Sequence, residues 1–268
     1  MSRRLESDKI LFGAVVVLVL FGTLMVFSAS AVMAAQFYGS SYYFLLRQLA
    51  WVVVGLVLMM AAMSRDYRRL ANPRLLFPAL GLQLVLLVLV LFRSPSHHAH
   101  RWFRLGAVGF QPSEFSKIVL VTFLAYFLAE RKGAVNDWKH TLLPIGLVTG
   151  STVWLVLKEP DLGTPLVIGL VVAAMLLATG LRWSYFALGA VALAPVVGFL
   201  IYLTPYRLKR FEAFLNPWVD PLGKGFQIIQ SYIAVGTGGI DGVGLMEGKQ
   251  KLFYLPEPHT DFIFAVIS

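Results

Sequence analysis

Apolar residues come in seven long blocks, at 10–34, 47–64, 75–92, 113–129, 141–157, 163–180 and 184–203, separated by polar segments. Each block approaches the roughly 20 residues that a helix needs to cross hydrocarbon. The pattern therefore predicts an all-α fold: a polytopic transmembrane helix bundle of seven full spans. The start of an eighth comes at Phe262 and runs to Ser268. Residues 1–268 are read as a single integral membrane domain. The first block is too long for a cleavable signal peptide and leads straight into further spans.

The polar segments predict an orientation. Arg3, Arg4 and Lys9 precede the first span. Arg65, Arg68, Arg69 and Arg74 fill the second-to-third loop, Arg131, Lys132 and Lys139 the fourth-to-fifth, and Arg182 the sixth-to-seventh. These short basic loops share one side, and basic short loops mark the cytoplasm. The N-terminus is then cytoplasmic. The opposite face carries 35–46, 93–112, 158–162 and a large extracytoplasmic loop, 204–261. That loop is not simply polar. Phe211, Phe214, Leu215, Trp218, Phe226, Ile229 and Tyr232 predict amphipathic helical pieces lying on the membrane surface or on the bundle.

Composition sharpens this picture. The chain is 58% hydrophobic and 14% charged, against roughly 25% charged in a soluble domain. A buried soluble core would explain one such block but not seven. There is no cysteine, which excludes a disulfide framework and a thiolate metal site. The net charge of +9 is scattered through loops. No basic, aromatic-laced domain exists to hold RNA or DNA, so nucleic acid is excluded as a partner.

Four constellations could carry chemistry. In the first, Arg101-Trp102 is succeeded by Gln111-Pro112-Ser113-Glu114 and Lys117. Pro112 suits a helix start, with Gln111 or Ser113 as its cap. Glu114 and Lys117 share a helix face and can pair. Ionisable residues so near hydrocarbon face a bundle interior or a wet cavity. The pair either locks the helix or forms a polar cavity wall where Lys117 meets a phosphate. The second, Lys158-Glu159-Pro160-Asp161-Leu162-Gly163-Thr164, is a polar turn in which Asp161 and Thr164 are placed to cap the sixth span. The third, His97-His98-Ala99-His100, has the residues for zinc but no fourth ligand, and a solvated loop is the better reading. The fourth runs from Asn216 to Asp261. It is cationic and aromatic and ends in a carboxylate at the start of a span, a combination suited to an anionic amphiphile. Lys and Arg would hold phosphate, aromatics would stack on sugar, and the carboxylate would take a proton.

These motifs, in this order, resemble those of the SEDS family, the bacterial shape, elongation, division and sporulation proteins. The resemblance is carried by Arg101-Trp102 with Gln111-Pro112-Ser113-Glu114 and Lys117, by Pro160-Asp161-Leu162-Gly163-Thr164, by Leu215-Asn216-Pro217-Trp218 with Asp220-Pro221-Leu222-Gly223, and by the run from Lys249 to Ala265. The segment Lys249 to His259 is closer to the division branch than to the elongation branch. His97-His98-Ala99-His100 departs from the family pattern, which has a small residue and Gly before the Arg-Trp pair.

The resemblance implies a peptidoglycan glycosyltransferase of the bacterial plasma membrane, at the division septum if the division branch is right. Its implied substrate is lipid II, a disaccharide-pentapeptide on undecaprenyl pyrophosphate. Its implied partners are a class B penicillin-binding transpeptidase and other divisome proteins. Asp261 is implied as the catalytic base. Arg101, Lys249 and Lys117 are the cations for the departing pyrophosphate, and Glu114, Asp161, His259 and Thr260 support the cavity. No cofactor is required by these residues. A divalent cation could share the charge, although no carboxylate cluster stands ready to hold one. The family has ten spans, so the chain is expected to be C-terminally incomplete and inactive alone. Two other functions fit the same residues: a lipid II flippase with Glu114 and Lys117 along its path, and a non-catalytic divisome scaffold. Charges at the outer helix ends favour the enzyme, since a transporter would place them near the midplane.

Overall fold

The computed structural model describes residues 8–92, 101–105, 108–131, 133–159, 161–239, 242–244, 246–248 and 259–267. His97, His98, His100, Pro160 and Lys249 lie outside the described residues. Seven helices occupy the seven apolar blocks: α1 (Lys9–Tyr38), α2 (Tyr43–Met63), α3 (Pro73–Leu91), α4 (Pro112–Glu130), α5 (Leu143–Lys158), α6 (Gly163–Ala178) and α7 (Trp183–Tyr202). Three shorter helices come after them: α8 (Pro205–Leu215), α9 (Phe226–Gly238) and α10 (Ile263–Ile267). The chain is thus an all-α membrane protein, as the apolar pattern predicts.

Local signals explain where the helices begin and end. Asp8 caps α1, accepting the amides of Ile10 and Leu11 at 2.9 and 3.1 Å. Asn72 accepts the amide of Arg74 at 3.0 Å, and Pro73 opens α3 with a fixed φ and no orphan N–H. Pro112 opens α4 in the same way, but neither predicted cap acts on the backbone there. The Gln111 side chain instead donates to Ser113 Oγ at 2.9 Å.

The expectation of seven full spans needs one qualification. Counting the turn at Trp138–Leu142 with α5, six helices among the described residues are long and apolar enough to cross a membrane. The exception is α6, which has 16 residues and so rises about 24 Å. Its end is set by the backbone. Gly180 takes φ +94°, its amide donates to Leu177 O at 3.0 Å, and that of Leu181 donates to Leu176 O at 3.0 Å. This Schellman closure satisfies the last carbonyls and stops the helix, while Leu181 is buried in the core.

The chain divides into two units, one of residues 1–65 with 196–268, the other of 66–195, with the boundary after Pro195 inside α7. In the 66–195 unit, α3, α4, α5 and α6 enclose a core of Leu80, Val119, Leu120, Phe123, Leu124, Ile145, Ile168 and Val172. A smaller layer of Leu87, Leu155 and Val156 joins α3 to α5. Next to that layer the Gln83 amide donates to Thr152 Oγ1 at 3.2 Å, a buried polar tie of the kind that holds membrane helices together. The turn after α4 and the turn after α6 are stitched by Asn136, whose side chain donates to Gly180 O at 3.2 Å and accepts from the Arg182 amide at 2.9 Å. Those two basic turns therefore lie at the same end of this unit.

In the other unit, α1 packs on α2 and on α10, and α10 packs on α9. Ala234 and Ala265 are buried together, with Phe262 and Val266 beside them. The amphipathic pieces predicted after residue 204 are present as α8 and α9. On α8, Tyr206, Phe211, Phe214 and Leu215 are exposed. Between these helices, Asn216 accepts the Trp218 amide at 3.2 Å and Asp220 accepts the Lys224 amide at 3.0 Å, so the Asn-Pro-Trp and Asp-Pro-Leu-Gly motifs form a self-tied turn.

Candidate functional site

The predicted site residues fall in both units. The first group is built on the turn between α5 and α6. Asp161 Oδ1 accepts the amides of Gly163 and Thr164 at 2.9 and 3.3 Å, and its Oδ2 accepts the Thr164 hydroxyl at 2.9 Å. The capping read for this turn falls to Asp161 alone, while Thr164, already inside α6, donates its hydroxyl to that carboxylate. Arg101 joins this turn from 58 residues earlier in the chain, its Nε donating to the main-chain oxygen of Glu159 at 3.0 Å.

A short hairpin steadies Arg101 from its C-terminal side. Residues 103–105 and 108–110 form two antiparallel strands, β1 and β2, with Phe103 opposite Phe110 and Arg104 opposite Gly109. Three-residue strands leave no alternation for a sequence reading to detect, and the segment reads simply as a loop. The Trp102 ring lies on Gly109, where an added Cβ would stand 3.0 Å from Cε3. Any side chain at 109 would push that ring away.

Sequence reasoning passed over Glu159. Its side chain is fully buried, and neither carboxylate oxygen has a hydrogen-bond partner among the described residues. Just beyond the end of the α5 span, its pKa is pushed up to about 8, chiefly by burial and then by the like charge of Asp161, with Arg101 opposing. The signal was present as spacing. Ile145, Thr152, Val156 and Glu159 fall on one helical stripe, and all four are buried.

Glu114 and Lys117 form the predicted pair, with Lys117 Nζ 2.8 Å from Glu114 Oε1. The pair is open rather than enclosed by the described residues. The side chains are 57% and 31% exposed, respectively, because the first turns of α4 bury Pro112, Ser113 and Ser116 instead. An ion pair this open contributes at most about 1 kcal/mol. Lys117 also edges a narrow groove between α4 and α6, lined otherwise by apolar residues including Leu120, Val121, Ile168 and Val172.

The second group lies in the other unit, in the turn 259–262 that leads into α10. Asp261 is exposed there and makes no side-chain hydrogen bond among the described residues. His259 is half-buried, its ring 4.5 Å from that of Phe44 on α2, and Thr260 is exposed. The Phe262 and Ala265 contacts with α9 anchor the turn. Among the described residues, no three His, Cys, Asp or Glu side chains group as a metal site.

Comparison with known proteins gives these motifs a context. The profile of the FtsW, RodA and SpoVE proteins, described as "Cell cycle protein", matches residues 8–268. A protein of Trichlorobacter lovleyi named "Probable peptidoglycan glycosyltransferase FtsW" is 44% identical over 269 residues, which cover 99% of this chain and 70% of that protein. Stage V sporulation protein E of Bacillus subtilis is 39% identical over 269 residues, covering 100% of this chain and 73% of its own length. Among solved structures, a chain of the "peptidoglycan synthase complex" that coordinates "polymerization and crosslinking" matches with a TM-score of 0.73 and 35% identity, over 98% of this chain and 70% of that one. The rod shape determining protein RodA of Thermus thermophilus matches with a TM-score of 0.58 and 25% identity, over 98% and 94% of the two chains. With the family profile matched from residue 8 onward and relatives this similar over most of their length, the chain belongs to the FtsW/RodA/SpoVE family of cell cycle proteins, the SEDS family that its motifs resemble.

Proposed function

We propose that this chain is a peptidoglycan glycosyltransferase that polymerises lipid II into glycan strands for the septal wall. The observation that carries the reading is the 44% identity, over nearly the whole chain, to a relative named for this activity. Asp261 is the proposed base. Asp261 is an exposed carboxylate with no side-chain hydrogen bond among the described residues, so its oxygens can accept a substrate proton. In the reaction, a sugar hydroxyl oxygen of the incoming lipid II bonds to the anomeric carbon of the growing strand. The bond from that carbon to pyrophosphate breaks, and Asp261 takes the hydroxyl proton. From their motifs, Arg101, Lys117 and Lys249 are assigned the charge for the departing pyrophosphate.

The distribution of charge supports an enzyme over a flippase. Every Asp, Glu, Lys and Arg of α1 to α7 lies within about two turns of a helix end, away from the midplane where transporter sites are built. The similarity to a chain of a complex that coordinates polymerization and crosslinking supports a crosslinking transpeptidase as partner, and the division-branch motifs support one of the class B penicillin-binding type with other divisome proteins.

Full-length protein purified in detergent is expected to convert lipid II into long glycan strands on a denaturing gel. Strands absent both with and without the transpeptidase would refute the proposed activity.

The basic short loops support a cytoplasmic N-terminus and an exported 204–261 loop. The chain has no native cysteine, so single cysteines report topology directly. A cysteine in place of the exposed Leu222 is expected to react with a membrane-impermeant maleimide on intact spheroplasts, and one in place of the exposed Leu70 to stay unlabelled. The reverse pattern would invert the orientation.

A further inference from the structure

Residue 159 holds two neighbours in two different ways. Its main-chain carbonyl accepts Arg101 Nε at 3.0 Å. Its carboxyl is fully buried, with both oxygens unpartnered among the described residues. An ionised carboxylate without donors is not stable in such a place, whereas a neutral carboxylic acid is tolerated. The charged groups that act on it are Asp161 on the same turn and Arg101. Among the described residues, the elements around it add none. The only charged residue of α3 is Arg74 at its first turn, α6 has none, Glu114 and Lys117 on α4 pair with each other while Glu130 ends that helix, and Lys158 lies over the Trp154 ring at 5.4 Å.

We propose that Glu159 is a positioning residue for the polymerase reaction: its buried, uncharged carboxyl anchors the turn whose main-chain carbonyl orients Arg101, and ionisation of that carboxyl withdraws Arg101 from this orientation. The inference rests on the glycosyltransferase reading for the role of Arg101. The physical reason is competition between two acceptors on one residue. A carboxylate is a far stronger partner for a guanidinium than a carbonyl. Once charged, the Glu159 side chain leaves its apolar seat, moves away from Asp161 and takes the guanidinium from its own carbonyl. Arg101 then neutralises an internal charge instead of a departing pyrophosphate. The raised pKa of about 8 puts this transition near pH 8. The acid form, and with it the oriented Arg101, prevails below that pH and is lost above it.

The test compares full-length wild type with Glu159→Gln, which keeps the neutral shape. Wild-type polymerisation of lipid II is expected to fall on an alkaline limb with a midpoint near 8, losing about tenfold per pH unit beyond it as a single ionisation dictates. Glu159→Gln is expected to match wild type at neutral pH and to lose that limb. An unchanged limb in the variant, or a variant inactive at neutral pH although correctly inserted, overturns the inference. Infrared spectroscopy of the purified protein without lipid II gives an independent readout. The wild type should show a protonated-carboxyl stretch that is absent from Glu159→Gln and that titrates with the activity limb. If the variant fails to fold, the wild-type band decides: coincidence of its midpoint with the activity limb supports the proposal, and separation overturns it. A wild type that makes no glycan overturns the glycosyltransferase reading itself, whereas an active wild type lacking the band overturns this inference alone.

Discussion

Asp261→Asn in the full-length protein is expected to abolish glycan polymerisation while leaving expression, membrane insertion and lipid II binding close to wild type. The substitution preserves size and one hydrogen-bonding oxygen and removes the basic site. General-base catalysis contributes roughly 10²–10⁴-fold in rate, so the loss should be at least about a hundredfold. The competing role for this residue is to cap α10. Asn caps as well as Asp, so a pure cap would make the variant nearly silent. The geometry speaks against that role, because Asp261 makes no capping hydrogen bond among the described residues. Strand synthesis by Asp261→Asn at a near-normal rate would remove the proposed base. The neighbouring contacts also explain why insertion should survive. The turn is anchored by Phe262 and Ala265 packing toward Ala234 and by the His259 ring against Phe44, and none of these contacts involves the carboxylate.

Gly225→Ala is expected to be the most disruptive single methyl in the 204–239 segment. A Cβ at 225 would collide with the main-chain oxygen of Pro217 and approach the main-chain oxygen of Asp220 to 2.9 Å. These are backbone atoms, fixed by the amides of Gly223 and Gly225 on Asp220 O at 3.3 and 3.0 Å and by Asn216 on Trp218. No side chain can swing aside to make room. Overpacking of this kind costs about 1–3 kcal/mol. Here it would open the Asn-Pro-Trp and Asp-Pro-Leu-Gly turn at the start of α9. Limited proteolysis of the full-length protein should show faster cleavage within 216–226. Gly236→Ala is the matched control. It lies in α9 with nothing within 4 Å of its added Cβ, where Ala gains up to about 1 kcal/mol of helix propensity. Equal protease resistance of the two variants would mean that the close approach at 225 is unimportant.

The helices were legible because their information is local. A run of apolar residues near 20 long, opened by Asp8, Pro73 or Pro112 or closed by Gly39, specifies a span without reference to any other part of the chain. Spacing also made the Glu114–Lys117 pair legible, since an i,i+3 relation on a helix is fixed by its pitch. Its exposure was not, because which face of α4 turns inward depends on how Val119, Leu120 and Phe123 meet α3 and α6. The capping by Asp161 was readable for the same local reason as the spans.

Features that depend on distant segments could not be read in this way. The hairpin at 103–110 is too short to show a strand period, and it is held in part by the Trp102 ring on Gly109. The contact of Arg101 with Glu159 joins residues 58 apart. The chain by itself determined which segments enter the membrane, where the helices lie, and which residues are chemically able to act as base or cation. Only the tertiary structure decided that Glu159 is buried without a partner among the described residues and that Arg101 is tied to its carbonyl rather than its carboxylate. Burial and long-range hydrogen bonds belong to the surfaces that helices present to one another, and a one-dimensional pattern does not contain those surfaces.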